Sequence, residues 1–125
     1  MLVTTPDVDH VFLGRPVPLR LFRDVAAHLR TLGEVRTGVT RTQVSFAAKR
    51  QFAWVWLPTR WTTNRPEDSI VISFALARRV EHPRVVEATE ARPGRWTHHV
   101  IVQRAADLGP EVRQWLREAY EQASA

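Results

Sequence analysis

Apolar residues recur at three- and four-residue spacing from Leu19 to Leu32, taking in Phe22, Val25, Ala26 and Leu29. That period lines one face of a helix. Pro18 suits its first turn, where a missing amide donor costs nothing, and Gly33 follows the last apolar position as a stop signal. From Glu34 the period falls to two. Val35–Val39 reads as a short strand, Gln43–Lys49 as a second and Arg50–Leu57 as a third, its run Phe52-Ala53-Trp54-Val55-Trp56-Leu57 being rich in β-formers. Pro58 ends that run, and residues 59–68, with Asn64, Pro66 and Asp68, read as a loop. Residues 69–77, SIVISFALA, are apolar almost throughout, which predicts a strand covered on both faces and therefore central in its sheet. His82-Pro83 breaks the chain. A weaker strand follows over Arg84–Thr89, then a turn at Arg92-Pro93-Gly94-Arg95 and a last strand over Trp96–Gln103. A second amphipathic helix runs from about Leu108 to Ala123. Its stripe is Val112, Trp115, Leu116, Ala119, Tyr120 and Ala123, and Asp107 stands where an N-cap belongs.

The order is thus helix, a run of strands joined by short turns, helix. Short connections favour antiparallel neighbours. The expected fold is α+β: an antiparallel sheet of about five strands with an N-terminal and a C-terminal helix packed on one face. Residues 1–17 are polar and poorly periodic apart from Val11-Phe12-Leu13, and read as an arm. Residues 18–125 read as a single domain, since a chain of 125 residues leaves no room for two.

Composition narrows the chemistry. The chain has no cysteine, which excludes disulfides, zinc–thiolate sites and thiol catalysis. No apolar run approaches the roughly 18 residues of a membrane span, and Met1–His10 lacks the layout of a signal peptide; the expected location is the cytoplasm. The net charge is +5, from 18 basic against 13 acidic residues. Its distribution says more than its sum. Between Val35 and Pro66 lie Arg36, Arg41, Lys49, Arg50, Arg60 and Arg65 with no acid among them, while acids gather toward the two ends. One stretch of the chain is electropositive, as suits an anionic partner.

Several segments together resemble the bacterial domain of unknown function 5655. They are Asp9-His10-Val11-Phe12-Leu13-Gly14-Arg15-Pro16, the helix end Leu32-Gly33, Val44-Ser45-Phe46, Arg50-Gln51-Phe52-Ala53, Trp96-Thr97-His98-His99, and Asp107 through Trp115-Leu116-Arg117-Glu118-Ala119-Tyr120. The C-terminal piece is the most specific, and the likeness covers about His10 to Tyr120. Gly109-Pro110 departs from the pattern, standing where such proteins usually carry a second acid. The resemblance brings no catalytic residue set. Such domains occur alone or beside other uncharacterised or nuclease-type domains, which by analogy leans toward nucleic acid.

Among residues able to carry chemistry, His98 and His99 are neighbours on a strand, so they point to opposite faces and cannot hold one metal ion together. There is no histidine pair at ligand spacing and no carboxylate cluster, so neither a metal nor a cofactor is expected. Ser45, Ser69 and Ser73 lie in no nucleophile motif; Ser45 shares a polar strand face with Gln43, Ala47 and Lys49. The five glycines are scattered, which gives no phosphate-binding loop. No enzyme signature emerges, and no catalytic residue is assigned. The aromatic residues over the basic stretch are the best functional feature. Phe52, Trp54 and Trp56 share one strand face by alternation. That row is either core beneath the helices or, if it faces away from them, a stacking platform bordered by Lys49, Arg50 and Arg60.

Three readings follow. In the first, a non-catalytic binding domain takes nucleic acid or an acidic protein through residues 36–65 and the sheet. In the second, a small-ligand pocket is lined by Ser45, Arg50, Trp96 and one of His98 and His99. In the third, an edge strand such as Val35–Val39 pairs two copies into a homodimer. The candidate binding residues are Ser45, Lys49, Arg50, Trp54, Trp56, Arg60, Trp96, His98 and His99. No membrane partner is expected.

Overall fold

The computed structural model describes residues 8–58 and 68–125. A single turn of helix, α1 (Val8–Val11), leads into α2 (Pro16–Arg30). Six strands follow: β1 (Arg36–Val39), β2 (Gln43–Ala47), β3 (Gln51–Trp56), β4 (Ile70–Leu76), β5 (Val85–Arg92) and β6 (Arg95–Val102). A short 3₁₀ turn, Ala105–Asp107, precedes α3 (Pro110–Ser124). The strands form one sheet in the order β1-β2-β3-β4-β6-β5, and every neighbouring pair is antiparallel. The fold is α+β. Among the described strands the chain crosses over once, where β5 takes the edge and β6 returns beside β4.

The unbroken apolar run predicted a central strand, and all seven residues of β4 are buried. Register explains how. Val44, Val55, Ile72, Val100 and Val85 stand opposite one another in one row across β2 to β5, and Phe46, Ala53, Phe74, His98 and Ala88 in the next row on that face. The stripes of α2 (Leu21, Phe22, Val25, Leu29) and α3 (Val112, Trp115, Leu116, Ala119) join these rows in one core. Phe12 and Phe22 lie 5.3 Å apart and Phe22 stacks on Phe46 at 6.0 Å, so an aromatic file runs from the segment after α1 to the sheet. Trp115 stacks on Phe74 at 5.9 Å from the other helix. Gly33, at φ 151°, lets the chain leave α2 where a Cβ would strike the Tyr120 ring of α3.

Several boundaries differ from the periodicity: β5 runs on to Arg92 and β6 begins at Arg95, so both arginines of the expected turn are strand residues. The helix α2 begins at Pro16, since Pro16 and Pro18 both fit a first turn that needs no amide donor. Asp107 does not cap α3, whose N-cap is Gly109. Its carboxylate instead accepts the amides of Gln103 (2.9 Å) and Arg104 (3.2 Å), and so closes the 3₁₀ turn between β6 and α3.

The C-terminal end of α3 is held by the β2–β3 turn. The amides of Lys49 and Arg50 donate to the Ala123 carbonyl at 3.1 and 3.3 Å, and the Arg50 guanidinium donates to the Gln122 carbonyl at 2.6 Å. These donors satisfy carbonyls that a helix end leaves open, and the guanidinium sits at the negative end of the helix dipole. On the adjacent turn Arg78 grips Glu118 with two hydrogen bonds, 2.9 and 2.8 Å, which holds the Glu118 carboxyl below its usual range.

Candidate functional site

The helices cover one face of the sheet. The other carries a different row, Gly38, Ser45, Trp54, Ser73, His99 and Glu87, which crosses all six strands in register. Beside it lie Gln43, Trp56, Val71 and Ile101. Trp54 and Trp56 are half-buried. The aromatic row thus divides: Trp54 and Trp56 face away from the helices, whereas Phe52 is core, its ring 5.6 Å from Tyr120 of α3. Strict alternation fails because β3 carries an extra residue. Phe46 pairs with Ala53 but Ala47 with Gln51, so Phe52 is a bulge residue turned to the opposite face from its expected partners.

A second bulge builds the polar part of the row. Val85 opposes Val100 and Glu87 opposes His99, which leaves Val86 unpaired and turned to solvent. Without that extra residue Glu87 would face the helices; with it, Glu87 Oε1 lies 3.9 Å from His99 Nε2. The Trp56 indole donates to Ser73 Oγ at 2.8 Å, and Ser73 Oγ lies 2.7 Å from His99 Nδ1. Trp56 and His99 meet edge to face at 5.9 Å. Burial holds the His99 imidazole below its ordinary value against the opposing pull of Glu87, so the ring is neutral at pH 7. The Ser73 hydroxyl accepts the indole proton and donates its own to Nδ1, which leaves the Nε2 proton facing Glu87. Gln43, Trp54, Trp56, Ser73, Thr97 and His99 line a shallow depression of about 290 Å³ over this network.

The network resembles a nucleophile, base and acid in a line, but Ser73 is held as a ladder residue and not presented as a nucleophile. Ser73 lies in the middle of a strand paired on both sides, whose amides belong to the ladder and are not free to stabilise an oxyanion. Ser73 is also only 3% exposed. The arrangement fixes the Trp56 ring through its indole hydrogen bond.

A basic rim adjoins the aromatic depression. Trp54 and Thr97 also line a wider concavity with Arg50, Gln51, Arg92 and Arg95. Arg92 and Arg95 are cross-strand partners at the tip of the β5–β6 hairpin, where Gly94 makes the turn at φ 76°. The Arg95 guanidinium reaches over the end of β4 to the Gln51 carbonyl at 3.0 Å. Burial, then the charges of Arg92 and Arg50, lowers the pKa of Arg95.

The remaining predicted residues separate. Ser45 sits in the row beside Trp54, its hydroxyl donating to the Gly38 carbonyl at 3.3 Å. Lys49 lies in the turn at the end of α3, and its amide holds Ala123. Trp96 points to the helix side, paired with Leu76 and covered by the Arg79 guanidinium 5.6 Å from its ring. His98 is wholly buried on that same side. Its Nε2 accepts the Val80 amide at 2.9 Å, its ring stacks on Phe74 at 5.1 Å, and its Nδ1 has no hydrogen-bond partner. Trp96 and His98 therefore do not share a site with Trp54, Trp56 and His99. Arg60, and Trp61 beyond it, lie outside the described residues. Ser73, Glu87, Arg92 and Arg95 are the additions. Ser73 carried a signal, as the polar interruption of an apolar strand, whereas Arg92 and Arg95 read only as turn residues. Among the described residues no three His, Asp or Glu side chains converge as a metal site would require, and no helix is long and apolar enough to cross a membrane.

A family model matches residues 8–123, all but the extremes of the chain. The chain belongs to the family of the domain of unknown function 5655. No curated protein and no solved structure matches it. The resemblance carried by the C-terminal helix and the His98-His99 strand thus holds across this DUF5655 domain.

Proposed function

We propose that this DUF5655 domain is a non-catalytic binding module that takes a single-stranded nucleic acid on the face of its sheet opposite α2 and α3. The observation that carries the reading is the junction of Trp54 and Trp56 with the rim of Arg50, Arg92 and Arg95 on one face. Indole faces stack bases without regard to sequence, and guanidinium groups neutralise the backbone. Neither an acidic protein nor a lone apolar ligand would use both features together. The Ser73–His99 pair beneath holds the Trp56 ring in place through the indole hydrogen bond.

The test is fluorescence anisotropy of a labelled oligothymidylate across a salt series. The reading expects affinity that falls steeply and log-linearly with salt, quenching of tryptophan emission on binding, and a loss of about 1–3 kcal/mol for Trp54→Ala. Absence of binding at low salt would overturn it. A second reading, a small anionic aromatic ligand, is favoured by the size of the depression, about 290 Å³; a mononucleotide that binds as well as the oligomer would select it.

A further inference from the structure

Three arginines converge where the sheet ends. Arg92 and Arg95 are directly opposed on neighbouring strands, a like-charge pairing that destabilises a hairpin. Arg50 from the β2–β3 turn joins them along both concavities at this rim. Among the described residues none of the three is paired with a carboxylate. Glu90, the acid two residues before Arg92, instead accepts the Gly94 amide at 3.2 Å. Like charges gathered with no ion-paired carboxylate among the described residues, next to an aromatic platform, are the mark of an anion site.

The rim also has an inner side. Arg50, Arg92 and Arg95 open into a cleft of about 390 Å³, floored by Phe52, Leu76 and Ala119, between the strand ends and α3. The end of α3, tied down by Lys49 and Arg50, stands across this cleft. A strand lying over Trp54 and Trp56 would run onto the arginines, which border both concavities. An internal phosphodiester brings one negative charge there, whereas a terminal phosphomonoester brings about two at pH 7. Three guanidinium groups suit the dianion.

We infer that Arg50, Arg92 and Arg95 form a site for the terminal phosphate of a single strand, with Trp54 stacking the adjoining base. The inference rests on the strand-binding reading above and adds that the domain holds an end.

The test compares oligothymidylates of about eight nucleotides that carry a 5′-phosphate, a 3′-phosphate or only hydroxyl ends, at about 50 mM salt. One phosphorylated form should bind about tenfold more tightly than the hydroxyl form, and the end that gains reports the strand's polarity. Replacing both Arg92 and Arg95 by Gln should abolish that preference while tryptophan quenching by the hydroxyl form persists. Arg79→Gln, which removes one charge at Trp96 on the helix side, should leave the preference intact. Unchanged melting temperatures would confirm that the variants fold; should the double variant fail to fold, Arg92→Gln alone serves, with a reduced preference expected. Equal binding of all three oligomers overturns the inference and leaves strand binding standing. Equal loss of preference in Arg79→Gln also overturns it, since bulk charge would then suffice. Thymidine monophosphate binding as tightly as the phosphorylated oligomer keeps the arginine site and overturns the strand reading.

Discussion

His98 and His99 show how much one peptide step decides. Alternation alone assigns them to opposite faces, and they occupy opposite faces: one in the core, the other over the Trp56–Ser73 pair. What alternation does not reveal is the state each ring must hold. Nε2 of His98 accepts the Val80 amide, so a second proton would break that bond inside the core. Burial is the first cause that holds His98, His99 and His28 below the ordinary 6.5, joined at His28 by the charge of Arg113. The unfolded chain therefore takes up protons before the folded one. Stability contributed by the three neutral rings is complete above about pH 6.5 and is lost as the pH falls toward their lowered values. Urea unfolding at pH 7, 6 and 5 should show a declining free energy. His98→Gln, which keeps an acceptor and removes a titrating group, should make the decline shallower. An identical slope in the variant would place the pH dependence elsewhere.

Among the secondary-structure elements, the helices were the most legible. A 3.6-residue period can be read within one segment, and most of the stripes of α2 and α3 are buried, with Leu19, Leu32 and Tyr120 half-buried and Leu21 added to the core. Leu116 is fully buried at the centre of the α3 stripe, so Leu116→Ala should cost about 2–5 kcal/mol, measured by urea denaturation. A variant as stable as the parent would mean that α3 is not part of the core. The strands were legible in position but not in register. Bulges at Phe52 and Val86 are each one extra residue, and nothing local in the sequence marks them, because their effect depends on which partner lies across the ladder. Those two residues move Phe52 into the core and bring Glu87 to His99. The polar row was hidden for that reason.

For the molecule as a whole, the acid-free stretch between Val35 and Pro66 supplies only part of the arginine rim. Arg50 belongs to that stretch; Arg92 and Arg95 arrive from a hairpin some forty residues later, through a crossover that composition cannot show. The same crossover bears on how the chain is made. The strand β4 is uncharged, free of proline and glycine, and rich in β-formers. One of its edges is covered by β3, already present when β4 emerges, and the other waits for β6. A nascent or truncated chain that stops after Pro83 therefore displays an adhesive edge to other copies of itself. Light scattering should show such a fragment self-associating at concentrations where the full chain stays clear, and Ile72→Lys in the fragment should suppress it. Sheet closure in this domain is then also its protection against aggregation during synthesis.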